Sequence, residues 1–149
     1  MVRVRRSWVL AGLVASAALL LLRPAAEAAY DTSDSAVVLP TGDLPPDIGG
    51  IRKTLEVYVR AVEGKDVQLF RTVKPNLSDE EEKRARAAFK SVQSQVVRIN
   101  VLSVDVREGH AIVKVTRRDT LNGSIVSSFP QTFQMAKETA GWTILDIGR

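Results

Sequence analysis

Few side chains in this chain of 149 residues suit acid–base chemistry. Moving a proton to or from a substrate needs a His, Asp, Glu or Tyr at hydrogen-bond distance with a suitable pKa. Histidine occurs once, as His110, and cysteine does not occur. A zinc site or a Cys/His or Ser/His nucleophile pair is therefore not expected, and the sequence predicts no metal and no cofactor. Since His110 follows the turn signal Glu108-Gly109, we interpret it as an exposed turn residue.

Tyr58 is the residue best suited to donate a hydrogen bond to a substrate oxygen. It lies at helical spacing with the apolar residues Leu55 and Val59. A lone inward tyrosine is more typical of a core than of an active site. Tyr58 as hydrogen-bond donor and a carboxylate acting as general base, either Asp119 or Asp146, would together be able to move a proton. This pairing requires the phenol and one carboxylate to converge in a closed cavity.

Arg117 continues an alternating apolar pattern in a predicted strand. In strict alternation it follows Ala111, Val113 and Val115 on one face. If that face is concave, the guanidinium would present a fork to a carboxylate ligand inside an apolar pocket. If the strand twists outward, Arg117 lies with Arg118 on the rim, and this is the interpretation that the sequence favours.

Several aromatic side chains would either line a pocket or fill the core, and core filling is the commoner role for each. The sequence assigns no catalytic residue. The candidate pocket-lining residues are Tyr58, Phe70, Phe89, Arg117, Phe133 and Trp142.

Three helices are expected to precede the strands. The first begins after Asp47, a suitable N-cap, and its apolar stripe extends to Val62. The second is short and begins after Asp66. The third has the clearest signature, since Ser78-Asp79-Glu80-Glu81 forms a capping box with an acidic first turn. Its charges read as a solvated face with i,i+4 pairs rather than as a binding patch. Its predicted buried stripe is Ala85, Ala88, Phe89 and Val92.

The apolar period then changes to two, which predicts strands. The apolar residues change faces between Val101 and Leu102, which predicts a β-bulge. Asn122-Gly123 predicts a type I′ hairpin turn, and Pro130 predicts a bulge or bend in the strand that follows. The sequence therefore predicts an α+β domain, with three N-terminal helices packed on a curved, cone-like, four-stranded antiparallel meander.

Two parts of the sequence resemble the nuclear transport factor 2-like (NTF2-like, or SnoaL-like) superfamily, in particular its small bacterial members. They are Tyr58, Ala61 and Lys65-Asp66 in the helices, and the closing run Gly141-Trp142-Thr143-Ile144-Leu145-Asp146-Ile147. The resemblance covers residues 48–147. It implies a curved sheet around the long first helix, with a pocket between them. The chain departs from the family in lacking a short strand pair after the second helix, the region that supplies the family's Asp base.

The N-terminal residues have the three parts of a secretory signal peptide. Arg3, Arg5 and Arg6 precede an uncharged run over residues 8–22, and Ala26-Glu27-Ala28 follows. The run is shorter than the roughly 20 apolar residues of a membrane span. We therefore expect residues 1–28 to be a signal peptide that directs the protein to the periplasm or the medium. Membrane attachment is expected only if the signal stays uncleaved.

The residues after the signal peptide set the expected domain boundary and charge. Residues 29–46 are small, polar and proline-broken, which predicts a flexible linker before an NTF2-like domain over residues 47–149. Without residues 1–28, the chain retains 17 basic and 16 acidic side chains, a net charge of +1. A nucleic-acid-binding protein needs a clustered positive surplus, so no nucleic-acid partner is expected.

Two functional hypotheses follow from the sequence. The first, which we favour, is an exported, non-catalytic module that binds a small apolar or acidic ligand or a protein partner; pairing of two copies through the sheet is one form of such binding. The second is a cofactor-free lyase or isomerase of the ketosteroid isomerase type, which the family resemblance implies and which would use Tyr58 with Asp119 or Asp146.

Overall fold

The computed structural model describes residues Ser35–Arg149. The predicted signal peptide and the start of the predicted linker, residues 29–34, lie outside the described residues. The described elements, in chain order, are β1 (Val37–Val38), α1 (Ile48–Glu63), α2 (Val67–Val73), α3 (Asp79–Lys90), β2 (Gln95–Arg107), β3 (His110–Leu121), β4 (Ile125–Glu138) and β5 (Gly141–Gly148).

The five strands form one mixed sheet in the order β1-β2-β3-β4-β5. The α+β class is confirmed, but the four-stranded, purely antiparallel sheet is wrong because β1 pairs in parallel with β2. Val37, which lies in the predicted flexible linker, is 1% exposed and belongs to the core. Ile99 N donates to Ala36 O at 2.8 Å. Strand β1 is only two residues long, which is too short to show a strand pattern in the sequence. The edge of β2 with which it pairs is also far away along the chain.

Helix α1 packs across one face of the sheet through the apolar stripe seen in the sequence. Ile51 and Leu55 are fully buried in this interface. Thr54 Oγ1 donates to the carbonyl oxygen of Trp142 at 2.8 Å, which joins α1 to β5. Gly50 lies so close to the Trp142 indole that a Cβ there would be 2.8 Å from its Cδ1. The stripe therefore positions α1, and with it Tyr58, over the sheet.

The predicted bulge in β2 is confirmed, since the pairing register with β3 shifts between Val101 and Ser103. The Asn122-Gly123 turn is also confirmed, because both residues have the positive φ that a type I′ turn requires. The bulge predicted as one alternative at Pro130 is not found, because β3 and β4 pair without a shift there. β5 pairs with β4 only as far as Thr132. The missing N–H of Pro130 thus falls on an edge of β4 that no described strand covers.

Helix α3 is capped as predicted but is not buried as predicted. Ser78 and Glu81 form both hydrogen bonds of the capping box. No residue of the helix is buried, although Phe89 is partly buried against the core. The expected stripe at Ala85 and Ala88 is wrong, because small side chains offer little apolar area to bury and polar contacts hold the helix instead. Glu82 pairs with Arg71 of α2 and with Arg86.

Candidate functional site

A cluster of buried polar side chains lies between α1 and the sheet. Its members are Tyr58, Arg117, Asp119 and Gln131, and we call it the Arg117 cluster. Arg117 and Asp119 are two apart on β3 and therefore point to the same face. Arg117 Nε donates to Asp119 Oδ1 at 2.7 Å, and Arg117 Nη2 donates to Oδ2 at 2.8 Å. This two-point contact is the strongest geometry available to an arginine and a carboxylate.

Tyr58 joins the Arg117 cluster from α1. Its hydroxyl oxygen accepts a hydrogen bond from Arg117 Nη1 at 2.5 Å. The ring packs edge-on against Phe133 at 5.1 Å between centroids and tilted against Phe70 at 5.7 Å. The phenol therefore combines an apolar body in the core with a polar end on Arg117.

The charge states in the cluster follow from burial and from the Arg–Asp contact. Burial raises the pKa of Tyr58; the charge of Arg117 opposes this shift to a smaller extent. The phenol is therefore neutral near pH 7. Burial disfavours the charged form of Arg117, but the influence of Tyr58 and Asp119 outweighs it and raises the pKa of the guanidinium. Arg117 is thus a permanent cation, matched by the carboxylate beside it.

Asp119 has no oxygen left without a partner. Gln95 Nε2 donates to Asp119 Oδ2 at 2.9 Å, in addition to the two bonds from Arg117. A general base must offer a lone pair to the proton that it removes. The three hydrogen bonds use three of the about four acceptor positions of the carboxylate, which leaves one lone pair, on Oδ1.

Gln131 is the member of the cluster that sequence reasoning missed. It is buried, and its Oε1 has no hydrogen-bond partner in the described part of the chain. Its alternation with Phe133 and Met135 along β4 was the signal that would have placed it inside. The polar character of its side chain obscured that pattern.

The other candidates divide between the core and the surface. The rim position favoured for Arg117 is wrong, because Arg117 is buried and only Arg118 is exposed. Phe70, Phe133 and Trp142 are core residues, and Phe89 lies at the edge of the core. Asp146 is exposed and makes no hydrogen bond with Tyr58.

His110 is exposed at the Glu108-Gly109 turn, in accord with its interpretation as a turn residue. Within residues 35–149, no group of His, Asp and Glu side chains is arranged to hold a metal ion.

The apolar side chains between α1 and the sheet belong to one buried core cluster. The largest of those with no exposed surface are Phe133, Ile51, Leu55 and Ile99. A depression of about 620 Å³ lies elsewhere, on the surface, and is lined by Arg71 and residues of α3.

None of the helices within residues 35–149 has the length and apolar character needed to cross a membrane.

The architecture resembles solved structures at low sequence identity. Bd1075 from Bdellovibrio bacteriovorus superposes with a TM-score of 0.58 and 13% identity over 67% of this chain, which spans only 38% of that protein. A proposed dehydratase from the NTF2-like family of Streptomyces avermitilis matches with a TM-score of 0.56 and 13% identity, over 68% of this chain and 93% of that one. A proposed ketosteroid isomerase from Shewanella frigidimarina gives 0.56 and 11%, over 74% and 97%.

The chain therefore has the NTF2-like fold. No protein-family profile matches the sequence, and no curated protein matches it significantly. At these identities the structural likeness concerns the fold, and function has to be argued from the residues of this chain.

Proposed function

We propose that this chain is an exported, non-catalytic module with the NTF2-like fold that acts by binding a partner. The observation that carries the proposal is the pairing within the Arg117 cluster. The Arg117 fork, which would recognise a ligand carboxylate, is closed by Asp119, and Asp119 has both oxygens hydrogen-bonded. The groups best suited to chemistry thus bind one another.

The packed interior supports binding at the surface over binding inside the cone. Side chains with no exposed surface, such as Phe133 and Leu55, occupy the space where the fold would hold a ligand. An acidic ligand would also meet a cluster whose single positive charge is already matched by a carboxylate. A partner that contacts the outside of the domain requires no rearrangement of this core.

Export is the second part of the proposal. It rests on the basic start, the uncharged run and the small-x-small exit within residues 1–28. The absence of cysteine means that the domain does not depend on disulfide formation after export.

Fractionation followed by native mass spectrometry tests both parts. The full chain would be expressed with its own N-terminus, and the mature protein recovered from the periplasm or the medium. We expect the N-terminus to begin at Ala29 and the mass to equal that of the polypeptide alone. A retained small molecule would overturn surface binding, and cytoplasmic protein with an intact Met1 would overturn export.

One observation favours the enzymatic alternative enough to test it. Tyr58 and Asp119 do lie in one buried cluster, bridged by Arg117, and two structural neighbours are named as a proposed dehydratase and a proposed ketosteroid isomerase. A cofactor-free isomerase would exchange a substrate's α-proton with solvent. NMR of cyclic ketones in heavy water should show no exchange above buffer for the wild type. Exchange that disappears in Asp119→Asn and Tyr58→Phe would establish the enzyme instead.

A further inference from the structure

The sheet has an outer face, opposite α1, that no described element covers. Along β2 the side chains alternate between buried Val97 and Ile99 and exposed Val96 and Arg98. β3 repeats this alternation with buried Val113 and Val115 and with exposed neighbours on the other face, as does β4 between Gln131 and Met135. An antiparallel sheet can have one face in water, and the composition of the exposed face then indicates its role.

The centre of the outer face is basic. Arg98 and Arg118 are directly opposite each other on neighbouring strands. Lys114, on the same face of β3, lies two cross-strand rows away, opposite Ser103. Like charges directly opposite each other destabilise a sheet. Arg98 forms a 3.6 Å ion-pair contact with Glu63 and donates to Val97 O at 3.1 Å, and Arg118 and Lys114 form no ion pair within residues 35–149. We call these three residues the basic band.

Aliphatic side chains flank the basic band on the same sheet. Val96, Leu102, Ile112 and Val126 are between 44% and 55% exposed. Val96 and Val126 lie in one cross-strand row with Thr120, next to the arginine pair. Contiguous exposed apolar residues mark interaction sites, and arginine is enriched in protein–protein interfaces. The outer face thus offers apolar contact area around a positive centre.

We infer that the outer face binds the acidic surface of another protein, with the basic band facing the partner's carboxylates and the flanking aliphatic residues facing apolar side chains. This inference rests on the proposed function as a binding module and names the class of partner. Charge complementarity selects the partner, because the face has a surplus of cations on a chain whose net charge is close to zero without residues 1–28.

A second copy of the chain is a poorer partner for the same face. A two-fold contact places a patch against itself. The basic band would then oppose another basic band, and like-charge juxtaposition costs several kcal/mol. Of the acids on this face, Asp105 already pairs with Arg107 at 3.0 Å, and Asp146 lies on β5, two strands away from Lys114. Pairing through the sheet, which the sequence suggested, therefore becomes an outcome for the experiment to exclude.

Fluorescence anisotropy with a labelled peptide of alternating Glu and Leu tests the inference on the mature protein. The triple variant Arg98→Gln/Lys114→Gln/Arg118→Gln should bind about tenfold or more weakly, since close charge pairs contribute on that scale. The matched control is Lys83→Gln/Arg84→Gln/Lys90→Gln, which removes three exposed charges from α3 and should change affinity by less than about twofold. A peptide of alternating Lys and Leu should not bind.

Two further measurements decide between occupants. Light scattering should find a monomer at every concentration; a dimer that the outer-face variant abolishes would overturn the inference. Sedimentation with phosphatidylglycerol vesicles should show no binding; vesicle binding lost in the same variant would assign the face to membranes. Equal losses of peptide affinity in the outer-face variant and in the α3 control variant would also overturn the inference, because the net charge of the protein would then explain binding.

Folding and function are kept separate in this test. Circular dichroism checks that each variant is folded, and Ile112→Ser, which changes no charge, should weaken peptide binding on its own. Unchanged affinity in Ile112→Ser and in the triple variant would overturn the inference whatever their stability. Proton exchange from a ketone, or a retained small molecule, would instead contradict the proposed function, so the two failures are distinguishable.

Discussion

The Arg117 cluster and helix α3 use the same chemical contact in opposite surroundings. Arg117 and Asp119 form a two-point ion pair whose side chains are 10% and 8% exposed. On α3, Arg86 contacts Glu82 with side chains that are 52% and 18% exposed. In both arrangements each carboxylate oxygen accepts a hydrogen bond from an arginine. Glu82 Oε1 accepts from Arg86, and Glu82 Oε2 accepts from Arg71. The two arrangements differ mainly in the exposure of the arginine side chain, which is 10% in the Arg117 cluster and 52% on α3.

The contribution of an ion pair to stability therefore depends on how far its surroundings exclude water. A buried carboxylate that loses its partner has no water to replace it, so breaking the contact is costly. An exposed carboxylate is rehydrated at once, and its pair contributes little. The interior of the domain should therefore be sensitive to single changes, while α3 should be tolerant of them.

The largest effect is expected from Arg117→Met, which leaves Asp119 buried without its cation. The free energy of unfolding should fall by about 3–5 kcal/mol, as measured by urea denaturation. The double variant Arg117→Met/Asp119→Leu should recover most of the loss, because no buried charge remains. If Arg117→Met costs no more than Arg86→Met on α3, the contrast between the two regions is wrong.

A smaller effect is expected from Gly50→Ala, which tests how closely α1 packs on β5. Its Cβ would be 2.8 Å from Trp142 Cδ1, whereas nothing lies within 4 Å of a Cβ at Gly49. Overpacking typically costs about 1–3 kcal/mol, and Gly49→Ala should instead stabilise the helix by up to about 1 kcal/mol. Thermal unfolding of the two variants gives the comparison. Equal midpoints would mean that the indole moves aside freely.

The capping box of α3 is expected to show its effect in a titration. The hydrogen bond from the Ser78 backbone N–H, with smaller contributions from the Ser78 hydroxyl and from Lys74, lowers the pKa of Glu81 from 4.5 to about 2. A lowered pKa stabilises the folded state above pH 4.5, and this contribution is lost as the pH falls from 4.5 towards 2. NMR of the side-chain carboxyl should show the low midpoint in the wild type and a slightly higher one in Ser78→Ala, which keeps the backbone N–H and loses only the hydroxyl. A wild-type midpoint near 4.5 would mean that the box does not form in solution.

The smallest effect is expected from Glu82→Gln on α3. It removes the charge shared by Arg71 and Arg86, but all three side chains remain hydrated in part. The unfolding midpoint should shift slightly at low salt and not at high salt, because salt screens exposed charges. A large shift that persists at high salt would show that α3 contributes to stability as the interior does.

The local features of the fold were predictable because short-range physics decides them. The Ser78–Glu81 capping box, the Asn122-Gly123 turn and the bulge after Val101 each depend on residues a few positions apart. The apolar stripe of α1 was equally plain, since it repeats over the whole helix. These features were sufficient to indicate an α+β domain, while the NTF2-like expectation came from the family resemblance of Tyr58, Lys65-Asp66 and the closing run 141–147.

The errors concern contacts between residues that are far apart in the chain. Val37 was assigned to a linker because no local pattern shows that the edge of β2 is open to it. Ala85 and Ala88 were assigned to a buried face, although amphipathic spacing does not tell whether a helix has a surface to pack against. Gln131 was overlooked because a polar residue interrupts an apolar strand pattern.

The sequence by itself determined the three helices, the four longer strands and the Asn122-Gly123 turn, because these follow from backbone geometry and from periodicity. Only the tertiary structure decided what Arg117 does. Its alternation pointed inward, but whether the strand stays covered that far depends on where α1 lies. The Arg117 guanidinium, which the sequence suggested as a binding group for a ligand carboxylate, instead contacts residues of the chain itself. These are Tyr58 on α1 and Asp119, two residues further along β3. Burial made that pairing favourable, because an unmatched charge cannot remain inside an apolar core.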